Sequence, residues 1–96
     1  MKNTAIAKVF GDIADLLELK GENPFKIRAY QKAVRSVEHL PAEVEQLVAE
    51  DRLREVQGVG EAIAKKITEL VTTGKLDYYE RLKSELPERQ HLLCHN

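Results

Sequence analysis

The chain has no tryptophan, one cysteine, one methionine and only five aromatic residues, three tyrosines and two phenylalanines, among its 96 positions. So short a sequence with so few rings holds one small core of aliphatic side chains, and one domain is expected. A lone Cys94 excludes an internal disulfide and fits a reducing cytosol. No apolar run approaches the roughly 18 residues that a spanning helix needs, and the N-terminus lacks the apolar centre of a secretory signal. A soluble, cytoplasmic protein is therefore expected, without a membrane partner. Internal repeats, low-complexity tracts and long linkers are missing as well. So is any excess of one charge: 15 Lys and Arg against 16 Asp and Glu leave a formal net charge of −1, whereas nucleic-acid-binding domains are often strongly basic.

What is present is Leu, Ala, Val, Glu and Lys recurring at helical spacing, which predicts an all-α domain with no strand. Ile6, Val9, Phe10, Ile13, Leu16 and Leu17 recur at three- and four-residue steps, giving a first helix over about Thr4 to Leu19 that Lys20-Gly21 closes. Asn23-Pro24 supplies a cap and a proline at the first helical position, opening a second helix that runs to about His39 before Pro41. Short helices are expected over Ala42–Ala49 and Asp51–Val56, a longer one from Glu61 to Thr73 stopped by Gly74, and a last one over Asp77–Leu86 with Tyr79, Leu82 and Leu86 inward. Beyond residue 88 a disordered tail is expected. His91, Cys94 and His95 share helical spacing there, but three ligands without a fourth partner or an ordered outer shell do not make a metal site. His39 reads as a helix-end cation or a surface group.

Charge is segregated along the sequence. Lys26, Arg28, Lys32 and Arg35 fall between Asn23 and Val37 with no acid among them, and Glu38 to Glu55 holds six acids against Arg52 and Arg54. A local positive field can steer DNA while the acidic flank limits how it docks; the plainer alternative is a solvated helix face. On a helical wheel Ile27, Tyr30, Val34 and Val37 form an apolar stripe centred on Tyr30, with Lys26 one turn before it and Arg28, Lys32 and Arg35 on the opposite side as a ridge able to track a phosphate backbone.

The richest segment is Leu53-Arg54-Glu55-Val56-Gln57-Gly58-Val59-Gly60-Glu61-Ala62-Ile63-Ala64. Its apolar-x-x-apolar-x-Gly-apolar-Gly-x-x-x-Ala pattern predicts a tight turn between two packed helices. Glycines admit the positive φ and close backbone approach of so short a hairpin, Val59 points back between the helices, and Ala64 lets them come close. Gly60, Glu61 and Ala62 then present unpaired N–H groups, which seek anions. An ordinary helix connection with capping glycines is the alternative. The pattern resembles the helix-hairpin-helix motif of non-sequence-specific DNA-binding proteins.

In the helix after the hairpin, Ile63, Ile67, Leu70 and Val71 face inward, Lys65 outward and Lys66 the border. A lysine amine is a nucleophile only when neutral, a state held by about one in 2,500 ordinary lysines at pH 7. Partial burial with a cation alongside favours it. Lys66, next to Lys65, is the best-placed candidate for an imine with an aldehyde; the plain alternative is a lysine that lays its methylenes over apolar surface.

Gly21-Glu22-Asn23-Pro24-Phe25-Lys26-Ile27-Arg28-Ala29-Tyr30-Gln31-Lys32-Ala33, then Gly58-Val59-Gly60, Ala64-Lys65-Lys66-Ile67 and Thr73-Gly74-Lys75-Leu76, resemble the N-terminal 8-kDa domain of family X DNA polymerases over about residues 3 to 88, particularly the bacterial and archaeal branch. The resemblance implies a compact bundle of four to six short helices around a helix-hairpin-helix. It implies binding of gapped, nicked or 5′-phosphorylated DNA during base-excision repair, with a polymerase palm in cis in a longer chain, a monomeric module and a nucleoid-associated location. By position, Lys66 matches the family's Schiff-base lysine, Tyr30 a pocket tyrosine and Lys26 a lysine on the 5′-phosphate; Lys75 lies in the shared turn. DNA contacts are thus expected from Gly58, Val59, Gly60, Glu61, Ala62, Lys65, Lys26, Tyr30, Lys75, Arg28, Lys32 and Arg35. No cofactor is required by the resemblance, which nonetheless implies a Na+ or K+ ion on the main-chain oxygens of Arg54, Val56 and Val59. The sequence departs from the animal lyase pocket where Phe25 replaces a histidine and Ala62 and Tyr78 replace lysines. Lost cations weaken phosphate binding and lysine activation, so DNA binding is the first expectation and 5′-deoxyribose-phosphate lyase activity through Lys66 the alternative. A third reading is a protein-docking domain in which the hairpin is only structural.

Overall fold

A computed structural model describes residues 1–85. Within them the order is α1 (Asn3–Lys20), α2 (Pro24–Glu38), α3 (Val44–Ala49), a 3-10 turn (Leu53–Glu55), α4 (Glu61–Thr73) and α5 (Asp77–Glu85), with no strand among the described residues. The all-helical expectation holds. Leu86, the expected tail and the His91, Cys94, His95 set lie outside the described residues.

Local signals set the first two boundaries. Gly21 takes the left-handed conformation at φ 74°, and its N–H and that of Glu22 donate to Glu18 O and Leu17 O at 3.0 Å each, the paired bonds that close a helix on a left-handed residue. Asn23 Oδ1 then accepts from the Phe25 N–H at 2.8 Å, with Pro24 at the first helical position. So short a connection makes α1 and α2 antiparallel neighbours. Gly11 sits where a Cβ would just reach Val34 Cγ2, at 4.0 Å.

Phe10, Ile6, Ile13, Leu17, Ile67, Leu76 and Val44 are the largest fully buried side chains, so α1 supplies the centre of the core; it lies close against α2 and α5, while α3, the 3-10 turn and α4 pack against one another. Each such aliphatic burial is worth about 1.5–3 kcal/mol. Polar clasps fix α3 and α5 to α1. Asn3 Nδ2 donates to Ala42 O and Asn3 Oδ1 accepts from the Val44 N–H, both at 2.9 Å, which locks the entry of α3. At the other end Tyr79 Oη donates to Asp12 Oδ2 at 2.7 Å and Lys20 Nζ meets Glu85 Oε1 at 2.8 Å, fastening α5.

The expected helix Asp51–Val56 is absent. Asp51 instead closes α3, in the left-handed conformation at φ 55°, with its N–H donating to Val48 O and that of Arg52 to Leu47 O. A short polar residue substitutes for glycine in that role. Only three helical residues then remain before the hairpin, and they form a 3-10 turn.

Candidate nucleic-acid interface

Gly58 and Gly60 have different duties. Gly58 has φ 91°, and a Cβ there would collide with Ser36 Oγ and press on Lys32 Cγ at 3.4 Å. Ser36 Oγ donates to Gln57 O at 2.7 Å, so the hairpin is bonded and packed onto α2. Gly60, at φ −79° and ψ 174°, needs no special conformation, and a Cβ there meets nothing within 4 Å. The expected positive φ therefore applies to the first glycine only. The second leaves bare the start of α4, where the first helical bond runs from the Ala64 N–H to Gly60 O at 2.8 Å. The N–H groups of Gly60, Glu61 and Ala62 have no acceptor among the described residues, and the positive end of the helix dipole lies there. Val59, 7% exposed, points into the core as expected, and Ala64 is buried beside it.

Between α2 and this hairpin lies an open cleft of about 880 Å³. Lys26, Arg28, Lys32, Arg35 and Lys66 line it, with Tyr30, Phe25 and the run from Gly58 to Ile63. The basic ridge and the Lys26–Tyr30 edge, placed on opposite sides by the helical wheel, thus line one cleft, because long lysine and arginine side chains reach around a helix well beyond the direction of their Cβ. Five cations face one acid, Glu61.

Tyr30 forms the floor of the cleft. Its ring lies near-parallel to Phe10 and Tyr78, centroids 5.9 and 6.2 Å away, and the residue is only 4% exposed. Burial, then the neighbouring Tyr78, pushes its phenol well above the ordinary tyrosine value. It is a buried part of the floor and offers no free ring face for stacking. The exposed ring is that of Phe25, 76% accessible at the rim, with the Arg28 guanidinium 6.0 Å from its centre.

Lys66 is half-buried, as its border position predicts, and its Nζ lies 4.9 Å from the centre of the Tyr78 ring. Lys65 is exposed and belongs to a smaller hollow of about 200 Å³ on the other side of α4, with Asp51, Arg54 and Glu61. Lys75 lines neither hollow. It sits past the far end of α4, two residues beyond the roughly 10 Å of helix that follow Lys66, in a turn fixed by Thr73 Oγ1 donating to Glu69 O and by the Asp77 N–H donating to Glu69 Oε2. His39 ends α2 with Nδ1 2.8 Å from Arg35 O, a helix-end role. The sequence reading passed over Ser36, Asn3 and Asp12, whose partners lie 21 to 67 residues away and leave no local signal.

Residues 1–76 match the family described as the helix-hairpin-helix domain. The chain is 32% identical over 88 residues, 92% of its length, to the DNA polymerase/3'-5' exonuclease PolX of Bacillus subtilis (strain 168). It is 31% identical over 83 residues, 86% of its length, to DNA polymerase lambda of Arabidopsis thaliana. In each case the chain spans 15% of the relative. The chain belongs to the helix-hairpin-helix domain family, in the form found in the N-terminal part of family X DNA polymerases.

Proposed function

We propose that the cleft between α2 and the hairpin binds the sugar-phosphate backbone of DNA at a gap or nick bearing a 5′-phosphate, as one module of a longer repair polymerase. One observation carries this reading: in a chain of net charge −1, five cations and the unpaired amides at the start of α4 converge on a single hollow. Backbone contacts carry no base information, and sequence preference is accordingly low. Lys26 and Lys66, whose ammonium groups both lie over the Tyr78 ring, take the terminal phosphate. Arg28, Lys32 and Arg35 follow the strand, and Gly60, Glu61 and Ala62 donate to a phosphate at the helix start. The module acts as a monomer in the cytoplasm, on the nucleoid, and a palm domain in cis supplies polymerisation.

A monovalent cation fits the hairpin chemically. The Arg54 and Val59 carbonyls accept no main-chain bond outside the helices among the described residues, and the Val56 carbonyl, which accepts from the Val59 N–H at 3.2 Å, keeps a second lone pair. A Na+ or K+ ion held there would add positive charge beneath the strand.

The test is a fluorescence titration of a gapped duplex with and without its 5′-phosphate, and of intact duplex. The phosphorylated gap should bind tightest, with affinity falling steeply as salt rises; equal affinity for all three would end the proposal. The half-buried place of Lys66 in the cleft supports a second reading, a lyase. Its amine would add to the C1′ aldehyde of an incised abasic site, expel water to give an imine, and permit β-elimination of the 3′ phosphate. Borohydride should then trap an adduct that survives Lys65→Ala and disappears with Lys66→Ala; the absence of any adduct removes this reading.

A further inference from the structure

Tyr78 does not line the cleft, yet two of the cleft's cations are gathered around it. Lys66 Nζ from α4 lies 4.9 Å from the centre of its ring, and Lys26 Nζ from α2 lies 5.5 Å from the same centre. The ring is held in turn by its near-parallel contact with Tyr30, at 6.2 Å and 13°, and Tyr30 by its contact with Phe10 in the core. A continuous column of three rings therefore runs from the middle of α1 to the two ammonium groups. We infer that Tyr78 is a positioning residue whose ring gathers Lys26 and Lys66 into one dicationic site for a terminal phosphate monoester.

The physical case has two parts. A free lysine side chain carries large rotamer entropy that binding must remove, and an aromatic face within about 6 Å restricts the ammonium beforehand through its negative quadrupole. Two ammoniums ordered around one ring also match charge in a selective way. A terminal phosphate carries about −1.5 to −2 near neutral pH, and a phosphodiester inside a strand carries one negative charge, so a paired site favours the end over the interior. Arg28, Lys32 and Arg35, which are not gathered on this ring, do not discriminate in this way. This inference rests on the reading of the cleft as a phosphate site.

Two measurements on the 96-residue chain separate the inference from that reading. Affinity for a gapped duplex is measured with and without the 5′-phosphate, for the wild type, Tyr78→Phe and Tyr78→Leu. The phenylalanine variant, which keeps the ring, should keep the wild-type ratio. The leucine variant should lose about fivefold of the phosphate preference, with affinity for the unphosphorylated gap within about twofold of wild type. A uniform loss on both substrates, or an equal loss in the phenylalanine variant, overturns the inference. Without DNA, the ε-methylene protons of Lys26 and Lys66 should be shifted upfield by the ring in the wild type and in Tyr78→Phe, and should return to ordinary lysine positions in Tyr78→Leu. Unshifted resonances in the wild type overturn it too. Shifted resonances in a wild type with no phosphate preference would uphold the gathering of the lysines and discard the phosphate reading.

Discussion

Lys65 and Lys66 are neighbours in sequence and face different sides of α4. On the Lys66 side the helix closes a cleft of about 880 Å³ with five cations and one acid; on the Lys65 side lies a hollow of about 200 Å³ where Arg54 and Lys65 meet Asp51 and Glu61. The near side is unbalanced and the far side neutralises itself. Net charge averages over this difference, so a value of −1 says little about what the surface attracts: arrangement decides the local field.

The two sides also differ in how tightly the hairpin is held, and the largest effect on the fold is expected there. Gly58→Ala on the near side forces a positive φ on an L-residue and drives a methyl into Ser36. A loss of about 2–3 kcal/mol is expected, seen as a melting temperature lower by about 10–15 °C. Gly60→Ala faces open space and costs only the difference between two N-cap residues, about 1 kcal/mol or less. A methyl added at the mouth of the hairpin should nevertheless hinder a phosphate approaching the free amides, so DNA affinity should fall in a protein that is still folded. Equal melting temperatures for the two variants would contradict the seating of the turn on α2.

Charge reversal tests the asymmetry directly. Lys66→Glu should weaken binding to a phosphorylated gap by about 30-fold, since it removes a charge-assisted contact and adds repulsion. Lys65→Glu should change binding by about threefold or less, because its surroundings are balanced and exposed. Similar losses in a fluorescence titration would mean that the strand crosses the tip of α4 and uses both sides.

Alkaline pH probes the floor of the near side. The buried Tyr30 keeps its proton above the ordinary tyrosine value of 10.0, whereas in the unfolded chain it ionises there. Above pH 10 the folded state holds more protons, and stability falls as pH rises. Tyr30 should contribute about 1.4 kcal/mol of loss at pH 11, and Tyr30→Phe should flatten the decline in denaturant midpoint between pH 9 and 11. An unchanged slope would show that the cleft floor is open to water.

How much of this could be read in advance follows from how local each signal is. Gly21, Asn23 and Pro24 act within four residues, and the ends of α1 and α2 fall within one residue of expectation. The stripe that centres on Tyr30 also holds, since helical periodicity records burial directly. Asp51 deceived because aspartate is suited both to opening a helix and to closing one in the left-handed conformation, and only the fold chooses between them. Lys75 fits its turn in sequence but is carried away from the cleft by the length of α4. Tyr78 and Tyr79 are adjacent identical residues, yet one joins the column of rings behind the cleft and the other donates to Asp12 on α1. Neither composition nor spacing separates them, because the distinction is made by α1, more than sixty residues earlier in the chain.

Glu61 belongs to both hollows and supplies the finest test of the contrast between them. As the acid in the first turn of α4 it opposes the positive end of the helix dipole, worth about 0.3–1 kcal/mol to the fold, and the same charge repels a phosphate approaching the amides of Gly60 and Ala62. Its two effects have opposite signs and distinct readouts. Glu61→Gln should lower the melting temperature by a few degrees while tightening binding to gapped DNA by about threefold at low salt, a gain that fades as salt screens the lost repulsion. If no phosphate reaches the helix start and the strand is held by the cleft's side chains alone, the substitution would reduce stability with no gain in affinity. The cleft would then be working through its side chains alone, and the unpaired amides would be ordinary solvated helix ends.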